Sequence, residues 1–327
     1  MFKRAASLLI AFGFIVAACS NSSSTAAPSA AATAAPASAA PASAAAEKTK
    51  IGFITKFPVD FYDTMVDAAK KWAADKPVDV VFAQGKSGTD DEGEIAAIES
   101  MITQGVKAIA ITPTSPNVQK ALDKATAAGI KVVLIDNDIP DWTGKSSVVA
   151  TDNLAGGKLA GTWLAKNLPA GAKLAVLKGR LGNPSLEDRV TGMLATLGTA
   201  ATVVGNSPAT DCDETKGLNA AGDLLTANPG ITAIYSACGP PALGALKAIK
   251  NAGIADGKIT VVGFDASPDE IKAILAGTEA GSVAQFPAKM GSLGLETAWK
   301  AATGQPIEKN VDTGTEMVTK DNAAKFQ

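Results

Sequence analysis

The chain has 327 residues, 46% of them hydrophobic, a formal charge of −2 and no histidine. Without imidazole there is no Ser–His or Cys–His catalysis, no histidine metal site and no histidine pH switch. The weak negative charge leaves no basic field for nucleic acid.

Lys3 and Arg4 precede an apolar run from Ala5 to Ala18, about 14 residues, too short to span a bilayer and suited to the core of a signal peptide. The run ends in Val16-Ala17-Ala18-Cys19, which resembles a bacterial lipobox. That resemblance implies a signal peptide over 1–18, cleavage before Cys19, diacylglycerol on its sulfur, and residence in the cell envelope on a bacterial membrane. Residues 20–46 carry no charge and are Ala, Ser, Thr and Pro apart from Asn21. Pro28, Pro36 and Pro41 forbid a continuous helix, so 19–46 reads as a lipidated cysteine and tether, reaching on the order of 30 Å as a flexible coil. The remaining length predicts two domains.

From Lys50 onward, short β-branched runs alternate with amphipathic stretches. Strands are expected at Ile51–Thr55, Val78–Ala83, Ala108–Thr112, Val132–Ile135 and Ser147–Thr151, with helices at Phe61–Ala74, Glu92–Thr103 and Asn117–Ala128 between them. A second series follows: strands at Leu174–Leu177, Ala201–Gly205, Ala233–Ala237 and Thr260–Phe264, and helices near 154–167, 186–197, 215–227, 241–252 and 268–276. Runs such as Val132–Ile135 suit strands buried on both faces, hence parallel sheets under helices. Two such series predict two doubly wound α/β lobes. Ser267-Pro268-Asp269-Glu270 reads as a capping box, and Gly129 and Gly253 as helix stops.

In open parallel sheets, ligands meet the carboxyl ends of the strands. The residues there include Phe61 and Tyr62, Asp136 and Asn137, Lys178-Gly179-Arg180, Cys238-Gly239 and Asp265. Beyond Arg4 the only arginines are Arg180 and Arg189, lysine supplying every other cation. Arginine is needed where a planar five-donor fork is required.

At this point the chain resembles a type I periplasmic sugar-binding protein of the ribose-binding group, the receptor of an ABC importer. The matching residues are Asp60-Phe61-Tyr62, Ile111-Thr112-Pro113, Val133–Asn137, Thr151–Gly157, Pro229–Leu246, Val261–Asp265 with Ser267-Pro268-Asp269, and Ala284-Gln285-Phe286-Pro287. The resemblance implies two lobes joined by a three-strand hinge, 47–151 plus 286–312 and 152–285 plus 313–327. It implies a monosaccharide or polyol held by Phe61, Tyr62, Asp136, Asn137, Arg189, Asp265 and Gln285, with no cofactor and no metal. The implied partners are an ABC permease and, through the anchor, a membrane; the receptor is expected to be monomeric.

Trp142 either roofs this cleft or stands in an exposed loop, and Arg180 matches nothing in the family. The departures bear on the ligand: a ribose-type receptor has Asp-Arg at Asp136-Asn137, asparagine at Val59 and Cys238, and an aromatic residue at Cys212. Cys212 and Cys238 remain as a pair once Cys19 is lipidated, and export predicts a disulfide between them. Competing readings are an enzyme, a repressor core of LacI type, a receptor that presents its ligand to a membrane sensor, and a binder of a non-sugar small molecule. No Gly-x-Ser-x-Gly, Walker A or Gly-x-Gly-x-x-Gly motif supports an enzyme, and the export segment argues against a repressor.

Overall fold

The computed structural model describes residues 48–206 and 208–327; Cys19 and the tether lie outside the described residues. Its strands are β1 (Thr49–Thr55), β2 (Val78–Gln84), β3 (Ala108–Ile111), β4 (Lys131–Ile135), β5 (Ser147–Ala150) and β6 (Ala172–Leu177). They continue as β7 (Ala201–Val203), β8 (Ala233–Ser236), β9 (Thr260–Asp265), β10 (Gly281–Ala284), β11 (Asn310–Asp312) and β12 (Glu316–Thr319). The helices are α1 (Asp60–Ala73), α2 (Asp91–Thr103), α3 (Gln119–Ala127), α4 (Asn153–Asn167) and α5 (Pro184–Leu197). After them come α6 (Glu214–Ala227), α7 (Gly239–Asn251), α8 (Pro268–Ala276) and α9 (Pro287–Ala302).

Two six-stranded sheets result, ordered β2-β1-β3-β4-β5-β11 and β7-β6-β8-β9-β10-β12. Every pairing is parallel except β10 with β12. Alternate residues face different apolar layers. On β4, Val132 and Leu134 join one core while Val133 and Ile135 join another. On β6, Leu174 and Val176 are divided in the same way from Ala175 and Leu177. Burial on both faces is why these strands read as continuous apolar runs.

The local signals act as expected at several ends. Ser267 and Glu270 form both bonds of the capping box, and Gly129 and Gly253 take positive φ after α3 and α7. The sequence reading had no place for α9, whose Pro287 opens the helix and whose Met290, Leu295 and Ala298 complete the first lobe's core. It also ran the helix from Asn117 unbroken, whereas Pro116–Val118 is a 3-10 turn that precedes α3. Trp142 is neither roof nor exposed: it is 3% exposed, packed in the core beside Ile139 and Val148, and its Nε1 donates to Asp123 at 2.7 Å. An indole with a satisfied N–H is stable inside, which is the physical reason for that position.

The chain passes between the sheets three times, after β5, after β10 and between β11 and β12. These connections are tied together: Thr313 N donates to the Ala150 carbonyl at 3.0 Å, and Thr315 Oγ1 to the Ala284 carbonyl at 2.8 Å. Just beyond the first, α4 packs against α5 with almost no space between backbones. A Cβ on Gly157 would lie 2.3 Å from the Arg189 carbonyl, and one on Gly161 would lie 2.1 Å from that of Met193. Gly157→Ala is expected to cost about 1–3 kcal/mol through overpacking, measured as a fall in the urea midpoint. An unchanged midpoint would show that the helices can separate freely.

Candidate functional site

The two sheets present their carboxyl ends to each other, and the candidate residues gather there. Asp136 directly follows β4 and Asp265 ends β9, each with a positive φ, 65° and 103°. That conformation is costly for a residue with a Cβ and persists where its surroundings demand it. On the first lobe, Asp136 Oδ2 accepts the Tyr62 hydroxyl at 3.3 Å and the Asn137 amide at 2.5 Å. Phe61, half-buried, and Phe57 both meet the Tyr62 ring edge to face, with centroids 5.2 and 5.4 Å away. Burial raises the Tyr62 phenol well above its ordinary value, and Asp136 adds to the rise.

On the second lobe Arg189 is the centre. It is 4% exposed, although it sits on a helix beside Glu187 and Asp188. Its Nε donates to Asn153 Oδ1 at 2.8 Å, and its Nη1 to the Ala237 carbonyl at 2.9 Å and to Asp265 Oδ1 at 3.2 Å. The guanidinium carbon lies 3.9 Å from the centroid of Phe264. Asp265 also accepts from Gln285 Nε2 at 2.7 Å and, through Oδ2, from Gly239 N at 3.2 Å. The last bond gives α7 an acceptor at its N-terminus that Cys238, its N-cap residue, does not supply. Asp265 therefore does cap a helix, though on a neighbouring element. Burial raises its carboxyl, with Arg189, Gly239 and Gln285 opposing the shift.

The lobes touch directly across this region. Asn183 Nδ2 donates to Asn137 Oδ1 at 2.8 Å, and Ser185 Oγ lies 3.5 Å from the Asp136 carbonyl oxygen. The seven expected residues thus form one neighbourhood. Cys212 and Cys238 flank its second-lobe side, with Cα atoms 5.5 Å apart and their sulfurs adjacent.

Sequence reasoning missed Lys56 and Glu94. Lys56 follows β1 directly, so the rule of strand ends was the signal for it. It is 8% exposed, and no hydrogen bond to its Nζ occurs among the described residues. Burial lowers its pKa, while Asp136 and Glu94 pull it up and Arg189 and Arg180 push it down. Those four charges come from both lobes. Glu94 accepts Thr114 N at 2.9 Å through Oε2, its Oε1 has no partner, and burial pushes its carboxyl up to about 7. Gln285 Oε1 is likewise buried without a partner. Lys56 Nζ, Glu94 Oε1 and Gln285 Oε1 are thus one donor and two acceptors without a hydrogen-bond partner among the described residues. A groove of about 830 Å³ between α6 and α7 is unrelated to them: Pro229, Ile231 and Ile259 line it, at the amino ends of β8 and β9.

The family model for the periplasmic binding protein domain matches residues 51–306. The ribose import binding protein of Salmonella typhimurium is 34% identical over 262 residues, 80% of this chain and 86% of that one. An ABC transporter solute binding protein from Actinobacillus succinogenes, with bound D-allose, is similar at a TM-score of 0.79 and 28% identity, over 85% of this chain and all of that one. Another from Burkholderia graminis, in complex with D-arabinose, has a TM-score of 0.80 at 29% identity, over 85% of this chain and 98% of that one.

Beneath Asp265 lie two more buried carboxyls. Glu270 accepts from Ser282 Oγ at 2.8 Å and Ser267 N at 2.9 Å, and burial, with Asp265 adding to it, pushes its pKa up to about 8. Glu279 is 2% exposed and is held well above the carboxylate range by burial and by Glu270. Raised native values mean that the folded state keeps protons the unfolded chain releases. For Glu270 the stabilisation is complete below pH about 4.5 and is lost as the pH climbs through 8, and Glu279 acts in the same direction. The unfolding free energy is expected to fall by on the order of a few kcal/mol from pH 5 to pH 9. Glu279→Gln, a neutral isostere, should flatten that decline; urea titrations at stepped pH with the same slope in both proteins would refute the assignment.

Proposed function

This chain belongs to the type I periplasmic sugar-binding proteins, exported substrate-binding components of ABC importers, and we propose that it captures a neutral monosaccharide or polyol in the cleft between its lobes. It is a binding protein and not an enzyme. The observation that carries the ligand class is the mixture of groups in the cleft. Lys56 and Arg189 stand against Asp136 and Asp265, and Glu94 is drawn toward neutrality, so no large net charge is left to select an ion. What remains is a set of fixed donors and acceptors with rings beside them, which suits hydroxyls on an apolar carbon frame.

In this reading Asp136, Asp265 and Gln285 accept hydroxyl protons, Arg189 and Asn137 donate, and Phe61 and Tyr62 cover the C–H face. Lys56 and the free oxygen of Glu94 supply a further donor and acceptor. Many of these groups already hold one another in place, so little ordering is left for the ligand to bring about. Closing the lobes completes contacts from both sides, and the closed form is what the permease receives.

A thermal-shift and calorimetric screen of the purified protein against aldoses, ketoses, polyols and inositols tests the reading. A ligand at 100 times its dissociation constant adds about 2.7 kcal/mol of stability. Arg189→Ala and Asp136→Ala should each weaken the hit by about 3 kcal/mol, roughly a hundredfold, because each leaves a buried partner unpaired. No response from any carbohydrate class would remove the sugar reading.

The reading includes a lipid anchor on Cys19 and a disulfide between Cys212 and Cys238. The anchor is supported by the basic, apolar and small-residue order of residues 3–19, the disulfide by the adjacency of the two sulfurs. With its ends 26 positions apart in sequence, the bridge is worth roughly 3.5 kcal/mol in the chain-entropy model. Peptide mass mapping of membrane-extracted protein without reductant should find Cys19 acylated and Cys212 linked to Cys238. An unmodified Cys19 removes the anchor, and two free thiols remove the bridge.

A further inference from the structure

Arg180 is the body's second arginine, and it makes its bonds on the opposite lobe. It lies in the loop after β6, in the second lobe, yet its Nη1 donates to the carbonyls of Gly88 at 2.9 Å and Thr114 at 3.2 Å. The same nitrogen stands 3.6 Å from Asp91 Oδ1. These acceptors come from three segments of the first lobe: the loop after β2, the loop after β3 and the first residue of α2. Asp91 is itself fixed, accepting Ser115 Oγ at 3.0 Å and Asn117 Nδ2 at 2.8 Å. The Arg180 and Asp91 side chains are 23% and 19% exposed, so the contact is largely withdrawn from water.

The loop that carries Arg180 is also pinned. Lys178 N donates to the Pro208 carbonyl at 3.2 Å, and Thr210 N to the Lys178 carbonyl at 3.0 Å. At Gly179 an added Cβ would meet Leu186 at 2.4 Å and the Cys238 sulfur at 3.2 Å, so the backbone is pressed against the cystine. A charged donor on a braced loop loses little freedom when it bonds. None of its three acceptors belongs to the cleft residues assigned to the ligand.

We infer that Arg180 is a latch between the lobes, a positioning residue that sets affinity by raising the closed population without touching ligand. When the lobes part, its donors and the two carbonyls return to water, so the latch biases an equilibrium and does not lock it. Apparent affinity scales with the fraction of protein in the competent state, and the latch acts on that fraction. The inference rests on the closing cleft proposed above. Its test includes a readout that needs no ligand, so the two can fail separately.

The full chain, Arg180→Ala, Arg180→Lys and Asp91→Asn are compared by small-angle scattering without ligand and by titration with D-ribose and D-allose. Arg180→Ala should enlarge the ligand-free radius of gyration and weaken the sugar that binds by about tenfold, mainly through faster release. Arg180→Lys should recover only part of this, since the shorter lysine carries its ammonium less far toward the carbonyls that Nη1 reaches. Asp91→Asn should weaken binding less than Arg180→Ala and add nothing to it in the double variant. Unchanged scattering together with affinity within twofold of the parent would overturn the latch. If neither sugar titrates, the ligand-free scattering comparison alone decides the latch, and an unchanged radius of gyration in Arg180→Ala overturns it.

Discussion

The buried guanidinium of Arg189 is the constraint around which the second lobe is arranged. A cation almost wholly out of water persists only if its donors and charge are met. Here they are met by α4 through Asn153, by the end of β8 through the Ala237 carbonyl, and by the end of β9 through Asp265. The Phe264 ring covers one face of the fork, and Tyr235, from within β8, donates its hydroxyl to the Arg189 carbonyl. The close approach of α4 to α5 at Gly157 sets the height of the Arg189 backbone against these partners. One side chain thus links the hinge-proximal helix, two strand ends and a core aromatic. Removing it would strand Asp265 in a site whose burial already works against its charge.

That arrangement decides what the cleft offers. Arg189 and Asp265 satisfy each other, so neither is a bare charge seeking a counter-ion, and a ligand meets a polarised pair. On the opposite wall Asp136 is held by Tyr62 and Asn137, which also makes it a local acceptor. The unmatched groups are the Lys56 ammonium, one oxygen of Glu94 and one of Gln285. Hydroxyls, which donate and accept in turn, are the chemistry that complements such a set. The departure of Asn137 from the arginine found in ribose-type receptors acts in the same direction. Asn137 trades a cation for an amide that already bridges to Asn183. The positive charge on this wall then comes from Lys56, at a different strand end.

Most of the framework was legible because parallel strands covered on both faces must be apolar throughout. β4 and β9 were found for that reason, and the strand-end rule then pointed to Asp136 and Asp265. The caps at Ser267 and Gly129 were legible because their chemistry is local. α9 escaped because its burial is completed by α1 and the first sheet, partners distant in sequence. Trp142 was misjudged because a loop tryptophan has no period to show which way it faces. Glu94 could not be read at all: its position on α2 resembles an ordinary acidic first turn, and only the fold brings it to Thr114 and Lys56.

The two arginines divide a task that arginine performs well in either place. Arg189 spends its donors within its own lobe, so the cleft wall is formed before any ligand arrives. Arg180 spends its donors on the other lobe, so its bonds exist only when the lobes are together. Contacts of the first kind add to affinity in proportion to how well a ligand fits them, and they confer selectivity. Contacts of the second kind stabilise closure equally for every ligand, and they confer none. Evolution of a new specificity in this framework therefore falls on Lys56, Asn137 and their neighbours. Changes at Arg180 and Asp91 would act first on closure, because the acceptors of Arg180 are Gly88, Thr114 and Asp91 and not the residues proposed to hold the ligand.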